Sequence, residues 1–122
     1  MDVQWNVWSD ATSEKSTRNV AARLLRQLGR TAKGLTFAPY PRTNGWMFSF
    51  QTALNGATWN DIAVDAIALG QRVAYAWTLS GEVSRNPEGW ATQPRISGVT
   101  AIQWQLRSQG HLDAMIGDTR HQ

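Results

Sequence analysis

A chain of 122 residues with 42% hydrophobic and 17% charged residues, seven Trp and a formal net charge of +3 has the composition of one globular domain, and disorder is excluded. With no Cys, disulfide frameworks, thiolate metal sites and a cysteine nucleophile drop out together. Ten of the twelve basic residues are Arg, a mild lean toward anionic partners, while the opening MDVQWNVW has neither a basic leader nor an apolar run and nowhere do 18 apolar residues follow one another. The expectation is a cytoplasmic protein without a membrane span.

Along the chain, residues 3–8 alternate Val3, Trp5 and Val7 with Gln4, Asn6 and Trp8, the period of a half-buried strand. The polar run 9–13 can cap a helix, and Val20, Ala21, Leu24, Leu25 and Leu28 then recur at helical spacing up to Gly29, which predicts a helix over 14–28. Opposite that apolar arc fall Arg18, Arg23, Arg26 and Arg30, a basic stripe that reads first as a solvated face and second as a phosphate-binding one.

Residues 35–42 and 46–54 flank Asn44-Gly45, the pair suited to a two-residue type I′ turn because both positions need positive φ. Such a turn sets Thr43 opposite Trp46, Pro41 opposite Phe48 and Pro39 opposite Phe50. Pro39 and Pro41 cannot donate to a ladder, so the first strand of this hairpin belongs at a sheet edge. The register sends Leu35, Phe37, Pro39, Pro41, Trp46, Phe48, Phe50 and Leu54 to one face, which needs a cover of helices. Thr36, Ala38, Tyr40, Arg42, Met47, Ser49 and Gln51 go to the other.

Thr58-Trp-Asn-Asp61 has the form of a capping box and opens an apolar helical pattern over 59–72. Strands follow over 75–80 and 102–106, separated by a long 80–98 loop that carries Trp90 and is either a short hairpin extension or a functional loop. Residues 108–122 read as a tail with a short helical turn, leaving a single domain over 1–107. The order βαββαββ predicts an α+β two-layer sandwich of the ferredoxin-like plan, with an antiparallel or mixed five-stranded sheet and two helices on one face.

The segment Asn44 to Gln51 matches the RNP1 pattern of RNA-recognition domains at Gly45 and Phe48, and Trp46 can substitute for an aromatic, but Asn44, Met47, Ser49 and Gln51 do not match. The aromatic row is also claimed by the core. Catalytic groups are sparse. The only histidines, His111 and His121, lie in the tail without a nucleophile at recognisable spacing, and His111 with Asp113 makes too few ligands for a metal site. Asp61 and Asp65 share a helix face, but the helix N-terminus explains acids there. A carboxylate pair assembled across loops, Asp10 or Glu14 with Glu82 or Glu88, is the one enzymatic route left open, and phosphate-loop and nucleophile-elbow motifs are absent. No cofactor or metal is expected.

What remains is binding. Trp5, Trp46, Trp77 and Trp104 have core positions and Trp59 can fold onto its own helix, which leaves Trp8 and Trp90 over. Trp, Tyr and Arg dominate interface hot spots, so Trp8, Tyr40, Arg42, Met47, Trp90 and Arg95 are the candidate partner-binding residues. The expectation is a small non-catalytic protein-binding domain. Compact domains of this type are the form of bacterial or phage immunity, antitoxin and inhibitor proteins that neutralise a partner such as a toxin. Nuclease inhibitors tend to be acidic, however, and this chain is basic. The alternatives are a nucleic-acid binder using Arg18, Arg23, Arg26 and Arg30, or a homodimer formed through the open sheet face.

Overall fold

The computed structural model describes residues 1–107; the tail with its expected helical turn, and with it His111, Asp113 and His121, lies outside the described residues. The elements are β1 (Asp2–Ser9), α1 (Glu14–Leu28), β2 (Lys33–Pro39), β3 (Trp46–Ala53), α2 (Trp59–Val73), β4 (Thr78–Ser80), β5 (Glu88–Ala91) and β6 (Val99–Gln105). They form an α+β structure with one six-stranded sheet in the order β2-β3-β1-β6-β5-β4, antiparallel at every neighbouring pair. The expected fifth strand is therefore joined by a sixth.

The helices begin and end where their caps place them. Ser13 accepts the Ser16 N–H and opens α1, and Gly29, in the left-handed region at φ 78°, closes it by donating to the Leu25 carbonyl. Thr58 accepts the Asp61 N–H at the start of α2. Arg30 thus lies beyond α1, not on its stripe. Val20, Ala21, Leu24 and Leu28 of α1 and Ala63, Ala66, Leu69 and Val73 of α2 share one buried cluster with Val3, Trp5, Val7, Phe48, Phe50, Ile102 and Trp104 of the sheet. Both helices therefore cover the same sheet face, and the period-two assignment of faces holds.

At the centre of this core Trp5 stacks on Phe50 at 6.1 Å between centroids, and Phe50 on Phe48 at 6.2 Å. The Trp5 indole N–H donates to Thr52 Oγ1 at 2.9 Å, so the ring is fully buried without an orphaned donor. The aromatic row of residues 46–50 is core, with Phe48 and Phe50 each 1% exposed.

The hairpin between β2 and β3 forms, but not with the expected turn. Asn44 and Gly45 do not take positive φ. A loop over residues 40–45 is closed by Tyr40 N–H to Gly45 carbonyl and Thr43 N–H to Tyr40 carbonyl, with Pro41 in the position where its locked φ favours a β-turn. Pro39, instead of Thr43, sits opposite Trp46, a slip of four residues. The cause is tertiary: Gly45 lies against the Ser9 carbonyl, where a side-chain carbon would collide, and Ser9 Oγ donates to the Trp46 carbonyl at 2.8 Å. Because the slip is even, the side chains of residues 36–39 keep their faces, while a bulge between Lys33 and Thr36 interrupts the alternation at the start of the strand. β2 is an edge strand, where Pro39, its one proline, is tolerated, but Leu35 and Pro39 stay exposed. Only Phe37 is half-covered, by Phe48 and by the Arg18 guanidinium 4.5 Å above its ring.

The strand expected over 75–80 is shortened to β4, since α2 runs to Val73 and Ala74 bridges Pro94. β5 escapes a periodicity reading because Gly89 occupies its inward position. A side-chain carbon there would run into the Trp104 indole, so the core residue opposite dictates the glycine.

Candidate interaction surface

The sheet face turned away from the helices is covered by no other element among the described residues. Cross-strand register lays its side chains in rows: Thr36, Ser49, Asn6, Gln103, Trp90 and Thr78 in one, Gln51, Gln4, Gln105, Glu88 and Ser80 in the next. Most of these polar groups satisfy one another. Asn6 donates to Gln103 at 3.0 Å and accepts from Ser49 at 2.8 Å, Gln51 donates to Gln4, and Glu88 accepts from Gln103 and Gln105. A face whose amides are already paired offers a partner little new hydrogen bonding; its shape and its apolar parts carry recognition.

Those apolar parts gather at one end. Trp8 of β1 has Met47 and Ala101 as its cross-strand neighbours. Ala101 is small enough for the Trp90 ring, from the next strand, to close over β6 and meet Trp8 at 5.1 Å between centroids and 60° between planes. Tyr40, at the start of the β2–β3 loop, meets Trp8 from the other side at 6.3 Å and 79°. The three rings, with Ser9, Thr43, Thr100 and Ala101, line a cleft of about 240 Å³. A second hollow shares Ser9, Thr43 and Thr100 with it and adds Asp10, Thr12, Asn44 and Gly45.

Of the residues singled out from sequence, Trp8, Tyr40, Met47 and Trp90 therefore stand together. Arg42 is exposed in the same loop and does not line the cleft. Arg95 does not join them: its backbone N–H bonds to the Val73 carbonyl and its guanidinium lies 4.2 Å over the Tyr75 ring, on the helix side of the molecule with Arg23 and Arg26. Comparison with known proteins adds no relative, since no family model, no curated protein and no solved structure matches this chain.

The arginine stripe divides. Arg18 pairs with Glu14 at 2.8 Å. Arg30 forks onto Asp65 at 2.6 and 3.0 Å and also donates to the Ala53 carbonyl. Asp65 is thereby held below the ordinary carboxylate range, chiefly by the Arg30 hydrogen bonds, against the opposing effect of burial and with help from the Asn55 N–H; Arg30 is raised in turn by the same contact. Arg23 donates to the Ser97 carbonyl at 2.7 Å and shares with Arg26, Gln27 and Arg95 a shallow groove in which no arginine has a carboxylate partner among the described residues.

The carboxylates weighed for catalysis are spread out: Glu14 pairs with Arg18, Glu82 with Arg85, and Glu88 with the sheet amides. Among the described residues no group of three His, Cys, Asp or Glu side chains gathers, and no helix is long and apolar enough to cross a membrane. Sequence reasoning missed Asp10, Thr43, Thr100 and Ala101 as lining residues. They are small or polar, come from three separate segments, and carry no local signal of convergence.

Proposed function

We propose that this protein is a small cytoplasmic, non-catalytic binding domain that engages another protein through the outer face of its sheet, with Trp8, Tyr40 and Trp90 as anchors and Met47 and Arg42 beside them. The observation that carries this reading is the convergence of three aromatic rings from three segments of the chain on a face that no element covers among the described residues. We read the fold as a ferredoxin-like plan, a reading that the order β2-β3-β1-β6 supports, with the β4–β5 hairpin as an addition that brings Trp90 to the cluster. An immunity, antitoxin or inhibitor role, with a toxin-like protein as the partner, suits a domain of this size.

The test is the native size of the tagged protein in lysate of its own host, measured with and without nuclease, for the parent chain and for the Trp8→Ala/Trp90→Ala double variant. A nuclease-resistant complex with a stoichiometric second polypeptide, lost in the variant, supports the reading. A complex indifferent to both substitutions sinks it.

A second reading rests on the groove of Arg23, Arg26 and Arg95, whose guanidinium groups, without a carboxylate partner among the described residues, suit nucleic-acid phosphates better than the stripe of Arg18, Arg23, Arg26 and Arg30 does. It requires that the association collapse on nuclease treatment.

A further inference from the structure

The three rings at the end of the outer face do not stack flat. Trp8 stands at 60° to Trp90 and at 79° to Tyr40, so their planes enclose the cleft instead of paving it. The remaining lining is Ser9, Thr43, Thr100 and Ala101; the adjoining hollow adds Asp10, whose carboxylate makes no ion pair among the described residues. Among the described residues no Lys or Arg lines either. Ring faces present negative quadrupole potential, and the aromatic walls of the cleft thus favour a cation.

The angles also say what kind. A flat guanidinium stacks on one ring at a time, whereas a round cation can touch several faces that meet steeply. A methylated ammonium is round and surrenders its weak hydration at little cost, while a bare ammonium is strongly hydrated. We propose that the cleft of Trp8, Tyr40 and Trp90 is an aromatic cage for a methylated ammonium group, presented as a methylated lysine side chain by the partner protein. This rests on the reading of the outer face as a protein-binding surface.

The test uses the whole chain and a small probe, N-acetyl-trimethyllysine amide, followed by tryptophan fluorescence and calorimetry. Two controls accompany it, the unmethylated lysine amide and a neutral isostere in which a tert-butyl group replaces the trimethylammonium. Saturable binding is expected, weaker by about fivefold or more for both controls. Trp90→Ala is expected to remove it, and so is Ala101→Leu, which fills the gap over which the rings meet; both variants are checked for an unchanged fold by circular dichroism. Equal binding of the isostere or of unmethylated lysine, or no saturation by about 10 mM probe, overturns the cage. If Trp90→Ala abolishes the lysate complex while the probe fails to bind, the outer-face reading survives and the cage does not. If the probe binds the cleft and the complex ignores Trp90→Ala, the cage stands as a site and the outer-face reading falls.

Discussion

The fork of Arg30 onto Asp65 ties the chain just after α1 to the middle of α2, and Asp65 also accepts the Asn55 N–H at 2.8 Å. Both side chains are about four-fifths covered, at 20% and 19% exposure, so solvent screens the pair only in part. Replacing Asp65 by Asn keeps the shape and removes the charge; a loss of about 1.5–3 kcal/mol is expected in urea unfolding at pH 7. Because the folded Asp65 carboxyl is lowered, its contribution is complete above the unfolded value of about 3.9 and is lost as pH falls through the lowered one. The gap between parent and Asp65→Asn should therefore narrow only below about pH 4, and a gap that is constant down to pH 2 would contradict this account. Thr52 makes a second residue-scale case. Thr52→Val leaves the buried Trp5 indole N–H without its acceptor, and about 1–3 kcal/mol is the expected cost by the same measurement. Neither contact could be read from sequence, since Arg30 looked like one more member of a stripe and Thr52 like an ordinary strand residue.

At the scale of elements, the β4–β5 hairpin sits at the sheet edge and depends on two fittings. Gly89 leaves room for Trp104, which is 1% exposed, and the Trp59 indole donates to the Val83 carbonyl at 2.5 Å, pinning the hairpin loop to α2. Gly89→Ala should lower stability by about 1–3 kcal/mol through overpacking and shift the near-ultraviolet tryptophan signal. Trp59→Phe keeps the ring and loses the donor; faster amide exchange confined to residues 80–91 is the expected result, and exchange unchanged there would show that the tie does not hold the loop. The caps of both helices were legible in advance because they depend on residues within one turn. The hairpin register was not, because Gly45 answers to Ser9, far away in the chain.

For the whole molecule, two surfaces of different chemistry lie on opposite sides of the sheet: an amide-paired, aromatic outer face, and a helix side where Arg23, Arg26 and Arg95 have no carboxylate partner among the described residues. Their salt dependences should separate them. Association through the rings is expected to change little between 50 and 200 mM salt, whereas phosphate contacts through Arg23, Arg26 and Arg95 would weaken steeply over that range. Arg23→Glu/Arg26→Glu should leave a nuclease-resistant complex at its parental size in gel filtration. Loss of that complex in the arginine variant, with retention in Trp8→Ala/Trp90→Ala, would transfer the partner site to the helix side.

What the sequence determined by itself was everything governed by short periods: the alternation that assigns Trp5, Phe48, Phe50 and Trp104 to the core and Trp8 to the open face, the helix ends at Ser13, Gly29 and Thr58, and the proline, Pro39, that suits β2 to an edge. Local steric and hydrogen-bonding preferences act over a few residues, and they leave a trace in composition. Only the tertiary structure decided the sixth strand, the slipped register at Pro39 and Trp46, the departure of Arg95 toward Arg23, and the meeting of Trp8, Tyr40 and Trp90 over Ala101. Each of these depends on which distant residue is small, which carbonyl lies opposite and which strand pairs with which, and packing settles those choices only when the whole sheet is assembled.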